Sequence, residues 1–451
     1  MSLNNTDFEN ITAIATPFGK GSISVIRVSG KTCISEVNTI FKGKDLTQVP
    51  GNTLVYGFIL GKDSQPIDEV VVAVFRKPHS FTADDMLEIS CHGGVLVTNL
   101  VLERLLSLNI RMAHPGEFSY RAYLNGRIDL VKAEAVMDLI EADTKSAAKI
   151  SINSLLSKTG KKISEFKEQV LNLISDIEVK LQYPEFDETA DLETSELKSR
   201  IDAILTALTE FLRNSKNTTM LKTGISVAIV GRPNVGKSSL LNSLLKQDKA
   251  LVTDIQGTTR DIVEGKIVLN NIALNLLDTA GIRKSTNLVE NLGIQKSLDT
   301  IKTADLVLFV FEANQKLTKE DLEILNKIDP AKLIKIANKK DLGIEEKDKD
   351  AVYISTFDEN LKPLEDAILA KLKLTDLDTR DLAFLSNQRQ IALLEKAISE
   401  LKEAHISADF LTADLIVMNI KSAYNAIKEI LGEVYDDDVN KNIFSHFCLG
   451  K

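Results

Sequence analysis

The sequence predicts a multidomain α/β protein with three parts: an N-terminal α+β domain, a helical bundle, and a phosphate-loop domain inserted into that bundle. Three observations carry this. Gly231-Arg-Pro-Asn-Val-Gly-Lys-Ser-Ser239 lies between an apolar run, Ile225–Val230, and a helical stretch from Leu240 to Leu245. Strand, glycine loop and helix in that order form a phosphate-binding loop. Short strand-like runs dominate the first 122 residues, whereas helical periodicity dominates both 123–220 and 377–451. The inserted domain, 221–376, contains several buried-strand runs separated by helices, which implies a mostly parallel sheet with helices on both faces.

In chain order, Ile11–Ala15 and Ser22–Val28 read as strands joined by the turn Thr16-Pro-Phe-Gly-Lys-Gly21. Val70–Phe75 and Leu87–His92 read as further strands, and Val95–Leu106 as a helix. Arg27 and Glu88 interrupt apolar strand patterns, so each either lies exposed on an edge or holds a polar ligand. His92, beside two glycines, reads as a turn residue, with a ligand contact as the alternative. From Leu130 apolar residues recur at helix spacing, with a break at Tyr183-Pro-Glu-Phe-Asp187. No acid–base constellation is visible in these helices.

The inserted domain carries ordered landmarks. Lys237 is placed to reach the β- and γ-phosphates, and the Ser238 hydroxyl to hold Mg²⁺. Thr253-Asp-Ile-Gln-Gly-Thr-Thr-Arg-Asp261 offers Thr259 as a second Mg²⁺ ligand. A strand from Ala273 ends in Asp278-Thr-Ala-Gly281, where Asp278 can hold Mg²⁺ and the Gly281 N–H can sense the γ-phosphate. Strands at Leu306–Phe311 and Lys332–Ala337 follow, the second ending in Asn338-Lys-Lys-Asp341. The Asp341 carboxylate suits the N1–H and exocyclic amine of guanine but not the edge of adenine. Tyr353-Ile-Ser-Thr356 reads as the last base-contacting loop. This pattern is that of a GTPase G domain. Ile282 occupies the place of the water-orienting glutamine of Ras-like domains and cannot do its work. No arginine finger in cis is evident. A monovalent cation beside the phosphates would replace the finger's charge. Glu290, the only acidic residue between Gly281 and Asp299, is either the water-orienting carboxylate or a solvated helix charge.

Composition limits the remaining classes. The 451 residues are 44% hydrophobic and 26% charged, enough for two to four ordinary globular domains. The net charge of −9 restricts any RNA surface to a local basic patch. Three scattered cysteines (Cys33, Cys91, Cys448) give neither a disulfide framework nor zinc spacing. No stretch is long enough to span a bilayer, and the start resembles no signal peptide, so a cytoplasmic protein is expected. The sequence after Cys448 is not a prenylation box.

The chain resembles the MnmE (TrmE) family of tRNA-modification GTPases over essentially its full length. The resemblance rests on Ala13-Ile-Ala-Thr-Pro-x-Gly-x-Gly21, Phe81-Thr-Ala-Asp-Asp85 with Leu87-Glu88, His92-Gly-Gly94 and Pro115-Gly-Glu-Phe-Ser119. Arg121-Ala122, Leu124-Asn125, Gly257-Thr-Thr-Arg-Asp261 and the terminal Phe447-Cys-Leu-Gly-Lys451 complete it. It implies a folate-binding N-terminal domain that forms a homodimer and binds 5-formyltetrahydrofolate through Arg27, Glu88, Arg127 and Lys451. Arg127 stands where relatives often carry lysine. It implies a Ras-like G domain that holds GTP through Asn234, Val235, Gly236, Lys237, Ser238 and Ser239. The mobile-loop contacts would be Thr253, Asp254, Ile255, Gln256, Gly257, Thr258 and Thr259. Those after the next strand would be Asp278, Thr279, Ala280 and Gly281, and those around the base Asn338, Lys339, Asp341 and Ser355. K⁺ would lie at Asn234, Thr253, Ile255 and Thr258, with Glu290 orienting the water and Lys237 on the phosphates. Cys448 matches a functionally important cysteine. The implied partner is the FAD-dependent MnmG (GidA). With it, such proteins place an aminomethyl or carboxymethylaminomethyl group on C5 of the wobble uridine of certain tRNAs. Thr356 departs from the usual alanine. The competing readings are a ribosome-assembly switch of the Era or Der type, for which a KH-like Gly-x-x-Gly clamp is missing, and a folate enzyme with a regulatory G domain.

Overall fold

The computed structural model describes residues 9–182, 194–246, 263–269, 272–277, 300–356, 361–372, 383–410, 412–434, 442–445, 447 and 450. Its elements begin with β1 (Asn10–Ile14), β2 (Ile23–Ser29), α1 (Cys33–Asn38), β3 (Phe41–Gly43), β4 (Thr53–Leu60), β5 (Pro66–Phe75), β6 (Met86–His92), α2 (Val95–Leu106) and β7 (Ile110–Met112). Helices α3 (Glu117–Leu124), α4 (Leu130–Ile140), α5 (Lys145–Leu155), α6 (Lys158–Gln182) and α7 (Thr194–Thr223) follow. Next come β8 (Ile225–Val230), α8 (Lys237–Lys246), β9 (Val263–Leu269), β10 (Ile272–Leu277), β11 (Leu306–Glu312), α9 (Lys319–Leu325), β12 (Leu333–Asn338) and β13 (Ala351–Tyr353). The order ends with α10 (Lys362–Leu372), α11 (Gln388–Ser407) and α12 (Ala413–Leu431). They form two compact units. One comprises Met1–Met137, Leu155–Leu205 and Leu393–Lys451, and the other Asp138–Ser154 and Thr206–Ala392.

In the first unit a seven-stranded sheet runs in the order β3-β4-β5-β6-β2-β1-β7. Its pairings are antiparallel except β1 with β7. The period-2 alternation of β5 explains one face: Val70, Val72 and Val74 are buried while Val71 is exposed. These valines join Ile26, Val28, Leu87 and Ile89 against Val101, Leu102 and Leu105 of α2. Strands β2 and β6 are interior, so Arg27 and Glu88 lie on no edge; they stand directly opposite one another.

The long helices of this unit bury one stripe each. On α6 it is Ile163, Phe166, Val170, Leu173, Ile174 and Ile177, the helical spacing that lets α6 pack against α12. Gly432 ends α12 in the left-handed conformation, φ 78°. A Cβ there would approach the Leu130 Cβ and the Tyr123 hydroxyl to 2.8 Å, so only glycine fits. The Tyr123 hydroxyl in turn donates to the Gly432 carbonyl.

The second unit is built on a six-stranded sheet, order β13-β12-β11-β8-β10-β9, parallel throughout except for β9. Both faces are covered, and β11 is therefore apolar for six consecutive residues, Leu306–Phe311. On one face Val227, Leu308, Val310 and Ile336 pack with Leu240, Leu241 and Leu244 of α8 and Leu364 and Ile368 of α10. On the other, Ala228, Val307, Phe309 and Phe311 pack with Ile301, Ile324 and Leu325. Ile150 of α5 belongs to the first of these clusters, so the compact unit extends beyond the 221–376 span.

The segments that lead into and out of this sheet are tied together. The Asp138 carboxylate at the end of α4 lies 2.5 Å from Lys222 Nζ and accepts the Ser386 hydroxyl at 2.8 Å. Lys222 Nζ also donates to the Ser386 carbonyl at 2.7 Å, and the Leu385 N–H donates to the Ser215 hydroxyl at 3.0 Å.

Candidate functional site

The parallel strands direct their C-terminal ends to one edge of the second unit. After β8 the chain continues through β9 and β10 on one side, then crosses to β11 on the other, so the loop after β8 sits where the strand order reverses. In open α/β sheets ligands bind there. That loop is Gly231–Lys237, and it opens α8. Its glycines are required by contact as well as by torsion. Gly231 has φ 147°, and a Cβ would lie 2.2 Å from the Val310 carbonyl; Gly236 has φ 97°, and a Cβ would lie 2.1 Å from Asn338 Nδ2. Asn234 adopts the left-handed conformation without being glycine, φ 65°.

Lys237 folds back over the loop. Its Nζ donates to the carbonyls of Gly231 (2.7 Å) and Arg232 (2.5 Å). Burial of the ammonium lowers its pKa to about 8. Ser238 and Ser239 are exposed in the first turn of α8. A glycine loop that opens a helix N-terminus beside a lysine makes a site for a polyphosphate.

The loop after β12 meets the phosphate loop. Asn338, fully buried, donates Nδ2 to the Val235 carbonyl at 3.0 Å. Lys339, at φ 61°, donates Nζ to the Asn234 carbonyl at 2.9 Å and pairs with Glu312 at the end of β11. The loop after β13 completes the group: the Lys340 N–H donates to the Ile354 carbonyl at 3.2 Å, and Ser355 is buried beside it. Asp341 is exposed. The structure thus brings together Asn234, Val235, Gly236, Lys237, Asn338, Lys339 and the Ser355 loop. Thr253, Asp254, Ile255, Gln256, Gly257, Thr258, Thr259, Asp278, Thr279, Ala280, Gly281 and Glu290 lie outside the described residues, although β10 ends directly before Asp278.

Two contacts at this site were not read from the sequence. One is Glu312 with Lys339. The other joins Arg232, inside the phosphate loop, to Asp321 of α9, with Nε 2.9 Å from the carboxylate. The available signal was Thr318-Lys-Glu-Asp321, whose spacing is that of a helix-capping box.

A second cluster lies in the N-terminal sheet. Arg27 Nε and Nη2 donate to Glu88 Oε1 at 3.1 and 2.7 Å. Its guanidinium lies over the Phe81 ring at 4.9 Å and the Phe118 ring at 5.6 Å. Arg127 faces the same Phe81 ring at 5.2 Å and donates Nη1 to the Phe81 carbonyl at 3.0 Å. Arg27 Nη1 also donates to the Gly450 carbonyl at 3.1 Å. Two cations, one carboxylate and an aromatic ring therefore converge near the chain's end; Lys451 and Cys448 lie outside the described residues. His92 ends β6 and holds Asp68 through Nδ1 at 2.7 Å, which raises its pKa.

Among the described residues there is no cluster of His, Cys, Asp and Glu suited to a transition metal. No helix of the described residues is long and apolar enough to cross a membrane.

A phosphate loop at the reversal of a mostly parallel sheet, with an Asn-Lys-x-Asp loop hydrogen-bonded to it, defines a P-loop GTPase. The helical-domain model of MnmE matches residues 130–448, and the model of the N-terminus of the GTP-binding protein TrmE matches residues 10–127. The tRNA modification GTPase MnmE of Acholeplasma laidlawii is 45% identical over 98% of this chain and its own full length. That of the Aster yellows witches'-broom phytoplasma is 40% identical over 98% of this chain and its full length, and that of Streptococcus mutans 40% over 99% of each. The chain belongs to the MnmE family of tRNA modification GTPases.

Proposed function

We propose that this chain is a K⁺-dependent GTPase that, with an FAD-dependent partner of the MnmG type, modifies C5 of the wobble uridine of certain tRNAs in the cytoplasm, using a tetrahydrofolate one-carbon unit. The observation that carries the reading is the presence in one chain of two chemically distinct sites. One is a phosphate loop joined to a guanine-reading loop; the other is the Arg27–Glu88–Arg127 cluster around Phe81.

At the first site Lys237 exchanges the Gly231 and Arg232 carbonyls for the β- and γ-phosphates, and Asp341 accepts from guanine. Ser238 and Thr259 would hold Mg²⁺. Asn234, Thr253, Ile255 and Thr258 would hold K⁺, whose charge offsets that developing on the phosphates. Oxygen donors of this kind suit both hard cations. Glu290 orients the attacking water. At the second site Arg27 and Arg127 bind carboxylate or polar ring edges of 5-formyltetrahydrofolate, Phe81 offers a stacking face, and Glu88 and Lys451 complete the set. Cys448 lies close in sequence to this site. The functional division is 1–122 for folate and homodimer formation, 123–220 and 377–451 for the helical domain, and 221–376 for the G domain.

The test is gene deletion in the native host, with tRNA nucleosides analysed by mass spectrometry and complementation by wild type and Glu290→Ala. The expected result is loss of C5-substituted wobble uridines, restored by wild type alone. An unchanged nucleoside profile with unassembled ribosomal subunits would instead indicate an Era- or Der-type switch.

A further inference from the structure

Asp321 performs two tasks from a fully buried position. Its Oδ2 accepts the Thr318 N–H and hydroxyl, each at 2.9 Å, which caps α9. Its carboxylate also meets Arg232 Nε at 2.9 Å. A helix cap needs only the first. The second reaches the residue that directly follows Gly231, at the entry of the phosphate loop. The Arg232 side chain is only 20% exposed, and its carbonyl is one of the two that receive Lys237 Nζ. A continuous set of polar contacts therefore runs from the start of α9, through Asp321 and Arg232, to the lysine that faces the phosphates. A charge-assisted hydrogen bond is shorter and stronger than a neutral one.

We propose that Asp321 is a positioning residue for the nucleotide: through Arg232 it holds the entry of the phosphate loop in the shape that accepts phosphates. The pairing engages Arg232 through Nε, which gives this loop arginine a structural task. The inference rests on the GTPase reading of the site.

The test uses full-length protein and fluorescent GDP, with affinity and dissociation rate measured for wild type, Asp321→Asn, Arg232→Met, the double variant and Thr318→Ala. The last weakens the cap while leaving the carboxylate and Arg232 in place. Asp321→Asn and Arg232→Met should each weaken GDP binding about tenfold, the scale of one hydrogen bond to a charged group. The double variant should be no worse than either single one. Thr318→Ala should lower the thermal midpoint and leave GDP affinity unchanged, which separates positioning from loss of stability. Wild-type affinity in Asp321→Asn overturns the proposal. So do additive losses in the double variant, or an equal loss in Thr318→Ala. If wild type itself binds no guanine nucleotide, the GTPase reading falls and takes this inference with it.

Discussion

Lys237 is the titratable group of the phosphate loop that burial perturbs. Burial disfavours its ammonium and lowers the pKa to about 8 from an ordinary 10.5. The unfolded chain therefore binds more protons than the folded one between those values, so this group makes the free protein more stable as pH rises through that window. A bound polyphosphate favours the ammonium again. GDP binding near pH 9 should accordingly take up close to one proton, and binding at pH 7 almost none. Calorimetry in buffers of different ionisation enthalpy measures this directly.

Glu117 behaves in the opposite sense. Burial alone would raise its pKa, but hydrogen bonds from Arg111 and the His114 N–H and the charge of Arg121 bring it down to about 2. Its folded pKa is depressed, so its contribution is complete above the ordinary carboxylate range and is lost as pH falls toward 2. Wild type and Glu117→Gln should differ in denaturant midpoint at pH 7 and converge as the pH is lowered toward 2.

Elements in this molecule end where side chains forbid continuation. Gly432 is the clearest case, because its left-handed torsion and its contact with Tyr123 and Leu130 act together. Gly432→Ala should cost about 1–3 kcal/mol, combining torsional strain with overpacking. Chemical denaturation followed by helical circular dichroism reads it out. The same scale shows what the sequence reveals. Strands β8, β10, β11 and β12 and helices α2, α11 and α12 are legible because continuous apolar runs or clean helical spacing mark them. β4, Thr53-Leu-Val-Tyr-Gly-Phe-Ile-Leu60, is also marked by its apolar, aromatic and β-branched residues. Strands β3 and β9 are not legible: β3 has three residues, and β9 opens Val263-Glu-Gly-Lys with one apolar residue. Their strand character comes from pairing with neighbours rather than from their own composition. For the same reason the phosphate loop is readable from nine consecutive residues, while the Asp321–Arg232 contact spans 89 positions and the capping-box spacing marks only the helix start, not the partner.

At the scale of the whole molecule, motif order along the chain identifies what the sheet order then assembles. Asn338 and Val235 are separated by 103 positions and meet through one hydrogen bond. Arg27 and Glu88 each looked anomalous alone, and the cross-strand register makes them one ion pair. Sequence could place each charge in a strand. It could not show that both strands are interior, because that depends on the five other strands beside them.

The hydrogen bond from Arg27 to Gly450 joins positions 423 apart. A ribosome adding roughly 5–20 residues per second needs roughly 20–85 seconds between making the two. The strands of the N-terminal sheet are synthesised well before Gly450. During that interval Glu88 is available to the guanidinium but the Gly450 carbonyl is not. Completion of this cluster is thereby tied to the synthesis of Gly450. A nascent chain that has not reached Gly450 contains every residue of the phosphate-loop unit while its N-terminal cluster is one contact short.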